Sequence, residues 1–422
     1  MKILRVITRM NIGGPAHQVN YLHRALRHCG HEVHLVIGSL DSGEGDAGGE
    51  LLGMANVEHI PQLCRPIRPL SDALAFFKIW QLLCREPYDV CHSHTAKAGL
   101  LTRLAALLAK PWRKLKKYPK LKIVHTYHGH VFQGYFSPRM SKWVCLAERF
   151  LAGHSDVLIT LTPLLRREIA SHLNVAESKL KIVPLGLDLK AFLNVKREAI
   201  FEAFFELENI NINNINNINK NINIDIKEHI PLAQLENSRL NAKANKPSIV
   251  GWVGRFSSIK NPLRFLDMAE ILIKLSDRPI VFVMVGDGPL RTNIEADLQR
   301  RNLAHVFYLT GWRSDLTTVY RGFDALINTS DNEGTPVAVL EALCSGLPVA
   351  ATNVGGTAEI LSLLDQPVLC YDKENFASAC QQILPWLLDH RRLDAHARQN
   401  LVLEFSQDKL LKNLLKIYGE NT

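Results

Sequence analysis

The sequence predicts an α/β protein made of two doubly wound, Rossmann-like domains. In each half of the chain, short apolar runs alternate with patterns of helical period, which is typical of a parallel sheet covered by helices. The length of 422 residues is enough for two or three domains. Hydrophobic residues make up 47% and charged residues 22% of the chain, as expected for a globular protein with large cores.

The first half contains six apolar runs that are predicted as strands, with helical patterns between them, for example at 16–29 and 95–109. The predicted strands are Ile3–Thr8, Glu32–Gly38, Asp89–His94, Lys122–Gly129, Val157–Leu161 and Lys181–Gly186. In such sheets ligands bind beyond the carboxyl ends of the strands. The residues that follow each strand are therefore the candidate site residues.

The second half restarts the alternation with a predicted strand at 249–254. Its last segment, 406–418, is predicted as an amphipathic helix that begins at Ser406 as N-cap and ends at Gly419. Between the halves, 196–246 is predicted as a low-complexity insertion without chemistry. Its Asn/Ile-rich tract repeats isoleucine every third residue, a period that fits neither a helix nor a strand.

The net charge of +9 is concentrated between Val90 and Ala147, where Lys and Arg occur eleven times and Asp and Glu do not occur. A basic face of this kind attracts anionic partners such as a phospholipid surface, a lipid phosphate or nucleic acid. Within it, the run Lys110–Lys122 interleaves cations with Trp112 and Tyr118. This composition suits a solvated loop and also a membrane interface.

Cysteine usage and apolar run lengths predict a cytoplasmic protein. The eight cysteines form no Cys-x-x-Cys pair, so neither a disulfide framework nor a zinc site is expected. The apolar start of the chain, Met1–Thr8, is too short for the core of a signal peptide. No uninterrupted apolar run is long enough to cross a bilayer.

The stretch from Asn332 to Thr352 carries the most specific pattern in the chain. It predicts a turn at Gly334 and Thr335, a helix with Pro336 at its first position, and an end of that helix near Cys344. Buried strands are predicted before and after it, at 325–330 and 347–351. The backbone N–H groups at the start of the helix would form an anion site.

Two glutamates flank this anion site. Glu333 lies just before it, and Glu341 lies inside the helix on the same face as Val337 and Cys344. Either glutamate alone could be a solvated charge near the helix dipole. Together they offer an acidic acceptor, a phosphate pocket and a second acidic acceptor, which fits a sugar, a diphosphate and a ribose.

The whole pattern resembles the nucleotide-sugar motif of retaining glycosyltransferases of family 4, especially the bacterial polysaccharide and lipopolysaccharide type. The resemblance rests on Glu-x7-Glu with Gly334, Pro336, Gly346 and Pro348, and on the later Gly-Gly-x-x-Glu at 355–359. It extends over nearly the whole chain except the insertion. It implies the GT-B fold, in which two Rossmann-like domains face each other across a cleft.

The resemblance implies the domain limits and the donor site. Residues 1–195 would bind the acceptor, 247–405 the nucleotide sugar, and the helix within 406–422 would cross back to the first domain. Arg255 and Lys260 would neutralise the diphosphate, although surface solubility is the alternative. Glu333 would bind the sugar and Glu341 the ribose; Gly334, Thr335, Pro336 and Val337 would line the phosphate site, and Trp312 or Arg313 would stack on the base.

In the first half, the resemblance assigns Gly14 to the diphosphate side and His128 to the donor sugar. His94 is a candidate contact on the acceptor side, and His92 is interpreted as structural. A metal site at His125, His128 and His130 is conceivable, but an extended segment does not place all three rings on one side.

The resemblance implies transfer with retention. No metal is expected, because Asp-x-Asp, the usual metal-binding signature of the other main glycosyltransferase fold, does not occur in the chain, and no other cofactor is expected. The expected partners are a nucleotide sugar, with UDP favoured, and a glycan or lipid-linked acceptor, with an anionic membrane as a further candidate and no nucleic acid. Two alternatives stay open. One is a noncatalytic relative that binds sugar nucleotides. The other is an NAD-type oxidoreductase, which the lack of Gly-x-Gly-x-x-Gly in either half disfavours.

Overall fold

The computed structural model describes residues 1–11, 13–41, 44–129, 138–193, 247–365, 367–389 and 391–420. The predicted insertion at 196–246 lies outside the described residues. By its internal contacts the chain forms two compact units. The first unit comprises Met1–Asp188, Glu333–Thr335 and Leu403–Thr422, and the second comprises Leu189–Asn332 and Pro336–Val402.

The first unit is built on a seven-stranded parallel sheet in the order β3-β2-β1-β4-β5-β6-β7. Its strands are β1 (Lys2–Ile7), β2 (Glu32–Ile37), β3 (Val57–His59), β4 (Val90–His94), β5 (Lys122–Tyr127), β6 (Val157–Thr160) and β7 (Leu180–Ile182). Its first five helices are α1 (Gly14–His28), α2 (Pro69–Arg85), α3 (Ala96–Leu115), α4 (Pro138–His154) and α5 (Pro163–Leu173). The six predicted strands are confirmed, whereas the three-residue edge strand β3 was too short to show a period.

The second unit is built on a six-stranded parallel sheet in the order β10-β9-β8-β11-β12-β13. Its strands are β8 (Ser248–Val253), β9 (Ile280–Val285), β10 (Phe307–Gly311), β11 (Ala325–Asn328), β12 (Val349–Thr352) and β13 (Val368–Tyr371). The helices are α6 (Lys190–Leu193), α7 (Pro262–Leu275), α8 (Arg291–Arg300), α9 (Leu316–Arg321), α10 (Val337–Cys344), α11 (Thr357–Leu361), α12 (Phe376–Leu388) and α13 (Ala395–Glu404).

The last helix, α14 (Gln407–Tyr418), packs in the first unit. Ser406 caps it by accepting a hydrogen bond from the Lys409 amide at 3.1 Å, and Gly419 ends it at φ 110°, as predicted. Its apolar face lies with α1 on one side of the first sheet, while α2 and α3 cover the other side. This burial on both faces explains why the strands are nearly continuous apolar runs.

In both sheets the chain reverses its direction of winding once. The reversal falls between β1 and β4 in the first unit and between β8 and β11 in the second. Ligands of doubly wound sheets bind at this point, beyond the carboxyl ends of the two strands. The loops that follow β1, β4, β8 and β11 are therefore where the candidate residues must be located.

Candidate active site

Helix α10 and its approach carry the pattern on which the sequence-based interpretation depends. The helix ends at Cys344 as predicted, but it begins at Val337 rather than at Pro336. Pro336 is the N-cap because its ψ of 91° lies outside the helical range, and its carbonyl oxygen accepts the hydrogen bond from the Leu340 amide at 3.2 Å. The proline therefore stands one residue earlier relative to the helix than expected. The helix has eight residues, and the backbone N–H groups at its start have no partner within the helix.

Glu341 is half-buried and lies beside a tyrosine on α9. The hydroxyl of Tyr320, itself fully buried, donates to Oε2 of Glu341 at 2.9 Å. Burial raises the pKa of Glu341 to about 7, while the hydrogen bond from Tyr320 acts in the opposite direction. The carboxyl group of Glu341 therefore keeps its proton to a higher pH than that of a solvated helix glutamate.

Arg255 and Lys260 lie in the loop that follows β8, and the main chain holds this loop on both sides. The Gly254 amide donates to the Val285 carbonyl at 2.9 Å, which ties the loop to the end of β9. The Lys260 carbonyl accepts from the hydroxyl of Thr329 at 3.2 Å, which ties it to the segment after β11. The two cations thus belong to a braced turn at the reversal point of the second sheet.

Glu333, Gly334 and Thr335 belong to the first unit, where Gly334 meets the residue after β5. A Cβ atom on Gly334 would lie 2.3 Å from the carbonyl oxygen of His128, so no larger residue fits without a backbone shift. Glu333 is 8% exposed. The Thr335 hydroxyl and Nδ1 of His128 are buried, and neither has a hydrogen-bond partner among the described residues. Such groups mark the place of a ligand or an ordered water.

The histidines of the first unit lie on two sides of the sheet. His92 bonds to Tyr418 at 2.7 Å and to Thr126 at 2.8 Å, which confirms a structural role. His125 bonds to Ser93 on the face that α3 covers. His128 points to the opposite face and bonds to His94 at 3.2 Å. The alternation of side chains along β5 thus separates the rings of His125 and His128, and His130 lies outside the described residues.

Comparison with known proteins identifies the family. A family model described as Glycosyltransferase Family 4 matches residues 12–191, and one described as Glycosyl transferases group 1 matches 247–385. The chain is 32% identical over 304 residues to the UDP-Gal:α-D-GlcNAc-diphosphoundecaprenol α-1,3-galactosyltransferase of Escherichia coli. The chain belongs to glycosyltransferase family 4.

Solved structures agree with this glycosyltransferase on the fold. HepE of Anabaena in complex with UDP and glucose superposes with a TM-score of 0.68, covering 100% of both chains at 16% identity. The lipopolysaccharide outer core galactosyltransferase WaaB superposes with a TM-score of 0.65, covering 99% of each chain at 14% identity. The sequence alignments are shorter. The match to the E. coli galactosyltransferase covers 70% of this chain and 66% of that protein. A 2-deoxystreptamine N-acetyl-D-glucosaminyltransferase of Streptomyces fradiae is matched over 42% of its length at 30% identity.

The structure of this glycosyltransferase separates the two candidates for contact with a nucleobase. Both oxygens of Asp315 accept hydrogen bonds from the guanidinium of Arg313, at 2.8 and 2.7 Å. Trp312 is 44% exposed. The tryptophan therefore presents an open ring surface, whereas the edge of the Arg313 guanidinium is held by an ion pair to Asp315 that does not occupy the faces of its plane.

The structure places His94 in the interior: its side chain is fully buried, and both ring nitrogens have protein partners. The acceptor-side contact of His94 stays a prediction. Nε2 lies 3.1 Å from Nη2 of Arg5, and Nδ1 lies 3.2 Å from Nε2 of His128. Gly14 is the first residue of α1, at the end of the loop that follows β1, and is half-buried there.

Sequence reasoning missed a polar brace behind the basic turn. Arg264 donates to the Thr329 carbonyl at 2.7 Å and to Asp331 at 2.8 Å, and the side-chain amide of Asn261 donates to the other Asp331 oxygen at 2.9 Å. This brace connects the turn of Lys260 with the residues that lead into Glu333. Asn261 before Pro262 is a helix-start signal that could have located one end of it, but its pairing with Asp331 spans 70 residues.

Proposed function

We propose that this glycosyltransferase transfers a hexose from a UDP-sugar to a lipid-linked or glycan acceptor, with retention of configuration and without a metal. The observation that carries the proposal is the braced turn with Arg255 and Lys260 next to the segment that leads into Glu333 and α10. Two cations and a helix N-terminus at one sheet edge suit a diphosphate leaving group. The E. coli relative, named for a UDP-galactose donor and a diphosphoundecaprenol acceptor, supports this choice of substrates.

The chemistry follows from where charge develops. Departure of the nucleoside diphosphate builds negative charge on the oxygen that leaves the anomeric carbon. Arg255, Lys260 and the amides at the start of α10 stabilise that charge without moving, which lowers the barrier. Glu333 accepts hydrogen bonds from hydroxyl groups of the donor sugar. An oxygen of the departing phosphate takes the proton from the hydroxyl group of the acceptor substrate. Attack from the face that the leaving group vacates preserves the anomeric configuration.

A transfer assay tests the proposal. UDP-, GDP- and ADP-sugars are offered with a short-chain polyprenyl diphosphate sugar as acceptor, and NMR identifies the anomeric configuration of the product. We expect product from a UDP-hexose only, with an α-linkage from an α-donor and no loss of rate in EDTA. Transfer from a GDP- or ADP-sugar would refute the choice of UDP. A product of inverted configuration would refute retention. A noncatalytic relative would show nucleotide binding but neither transfer nor slow donor hydrolysis.

The raised pKa of Glu341 gives a pH prediction. An ionised carboxylate accepts both ribose hydroxyls, whereas the protonated form loses an acceptor site. Because the pKa of Glu341 is about 7, ionisation rises as the pH increases through neutrality. We therefore expect UDP affinity to increase from about pH 6 to about pH 8 more in the wild type than in Glu341→Gln. UDP affinity is measured by calorimetry for both proteins, and their comparison removes the effect of UDP's own ionisation. Parallel pH profiles of the two proteins would contradict the assignment of Glu341 to the ribose.

We propose further that the first unit docks on an anionic membrane, but the surface differs from the predicted run Lys110–Lys122. Helix α3 continues through Pro111 to Leu115, so half of the run is helical rather than a loop. Arg113 is 3% exposed and donates to the carbonyls of Leu83 and Tyr88 at 2.8 and 2.6 Å. This arginine closes the carbonyl end of α2 and is unavailable to lipid.

Three consecutive helices support a broader docking surface. Each of α2, α3 and α4 exposes an apolar stripe with spacings of three or four residues, and α3 packs against both neighbours. The exposed residues are Leu70, Leu74 and Phe77 on α2, Leu108, Trp112 and Leu115 on α3, and Met140, Trp143, Leu146 and Phe150 on α4. Exposed cations lie among them at Lys110, Lys114, Lys117, Arg139 and Lys142. Apolar and aromatic stripes edged by cations are suited to a headgroup layer.

Vesicle co-sedimentation tests the docking surface. Near an anionic surface each lysine contributes about 1 kcal/mol, so replacing Lys110, Lys114 and Lys117 by Gln should reduce binding by about a hundredfold at low salt. The matched control replaces the exposed Lys181, Lys274 and Lys373 by Gln and should bind like the wild type. Equal loss in both triple variants would show a general charge effect and overturn the assignment. No described helix is long and apolar enough to cross a bilayer.

A further inference from the structure

The first unit contains a buried chain of three polar side chains that leads from β1 to the candidate sugar contact. Arg5 on β1 and His94 on β4 are both fully buried, and His128 follows β5. These strands are neighbours in the sheet, with Ile7 paired to His94 and His94 paired to Thr126. The sheet register therefore brings together three groups that are far apart in sequence.

The chain starts from a group that is always a donor. The guanidinium of Arg5 donates through Nη1 to the Val19 carbonyl at 3.0 Å, and its Nη2 lies 3.1 Å from Nε2 of His94. Burial lowers the pKa of Arg5 to about 10, which leaves it protonated at neutral pH. A guanidinium has no acceptor, so Nε2 of His94 must accept.

The acceptor role of one nitrogen fixes the proton on the other. Burial lowers the pKa of His94 well below its usual value, so the ring is neutral and carries one proton. With Nε2 accepting, that proton is on Nδ1, which lies 3.2 Å from Nε2 of His128. Nε2 of His128 therefore accepts in turn, and its own single proton is on Nδ1.

We propose that Arg5 and His94 are positioning residues that fix the tautomer of His128, so that His128 offers an N–H at Nδ1 to a hydroxyl of the donor sugar. The inference rests on the proposed function for the identity of that hydroxyl. Nδ1 of His128 is buried without a partner among the described residues, which is the state expected of a donor that awaits a ligand. In this arrangement His128 donates a hydrogen bond and does not act as a base.

The packing of His94 supports a fixed orientation. The ring of His92 lies over it with centroids 4.2 Å apart and planes inclined by 32°. His92 is in turn held by Tyr418 of α14 and by Thr126. A change in the ring orientation of His94 would break its hydrogen bonds to Arg5 on one side and to His128 on the other.

Nitrogen NMR of histidine-labelled protein tests the tautomer without any substrate. The His128 signals are assigned by their loss in His128→Gln. We expect an Nδ1–H tautomer of His128 in the wild type at neutral pH, and a shift toward Nε2–H in His94→Leu, in which the donor to Nε2 is missing. An Nε2–H tautomer in the wild type, or no change in His94→Leu, would overturn the proposal. The wild-type spectrum alone decides the tautomer if His94→Leu does not fold.

Kinetics give the second readout. His94→Leu should lower the rate of transfer by about tenfold to a hundredfold, because a His128 ring with its proton on Nε2 no longer donates to the ligand hydroxyl. His94→Gln, whose side chain both accepts and donates, should recover most of this loss, whereas a merely space-filling role would favour Leu. UDP affinity should not change in either variant. If the wild type carries Nδ1–H but transfers no sugar, the proposed function fails while the tautomer assignment stands.

Discussion

Replacing Lys260 or Arg255 with Ala is expected to lower the rate of sugar transfer by about two to three orders of magnitude, equivalent to about 3–4 kcal/mol for each side chain. The charge on the leaving diphosphate is largest in the transition state, and these are the cations that the braced turn holds at the reversal point of the second sheet. UDP affinity should fall as well, because UDP already carries most of that charge.

The folding of the turn should survive both substitutions. One hydrogen bond joins the Gly254 amide to the Val285 carbonyl, another joins the Thr329 hydroxyl to the Lys260 carbonyl, and neither uses a replaced side chain. Lys274→Ala, an exposed lysine on α7, is the matched control for loss of a charge. Steady-state rates at saturating donor and calorimetric UDP titration measure the effect. Rates within about twofold of the wild type in both variants would remove the two cations from the site.

Replacing Arg103 with Leu is expected to destabilise the first unit by about 3–5 kcal/mol. Arg103 and Glu148 are both buried, and Nη2 lies 2.6 and 2.7 Å from the two carboxylate oxygens. The Tyr127 hydroxyl donates to Glu148 at 2.9 Å. Without the arginine, the Tyr127 hydroxyl is the one partner left to Glu148 among the described residues, so a buried charge is uncompensated.

The double variant Arg103→Leu with Glu148→Leu separates charge from packing. It should regain much of the lost stability, since replacing both members of a buried ion pair by apolar residues is often neutral. Amide hydrogen exchange in β4 and β5 measures the stability of the first unit separately, because two units need not unfold together. A double variant as unstable as Arg103→Leu would show that shape, and not the unpaired carboxylate, dominates.

Sequence patterns anticipated the features that depend on local chemistry. Proline and glycine located the start and end of α10 to within one residue, and Ser406 and Gly419 located those of α14. The alternation of apolar runs and helical patterns indicated both sheets. These features were predictable because cap residues and apolar periodicity, which indicate backbone geometry and the buried face, involve residues close together in sequence.

The charge pattern between Val90 and Ala147 shows where local reasoning fails. Composition treats its eleven cations alike, yet Arg103 pairs with Glu148, Arg113 binds the end of α2, and Lys97 pairs with Asp72 at 2.6 Å. Which cations are internal depends on the partners that the fold supplies. The apolar stripes of α2, α3 and α4 could likewise be recognised only in the packed structure, which shows that no described residue covers them.

The sequence by itself predicted two α/β sheets, placed Arg255, Lys260 and Glu333 in loops after strands and Glu341 in a helix, and showed the resemblance to family 4 glycosyltransferases. These features were accessible because periodicity, turn residues and motif spacing are local. Only the tertiary structure decided how those groups are held and what surrounds the carboxyl group of Glu341. The link from Arg5 through His94 to His128 exists because parallel pairing places β1, β4 and β5 side by side. The pKa of Glu341 depends on burial beside Tyr320. Neither property follows from residue order, since strand neighbours and burial arise only when the sheets assemble.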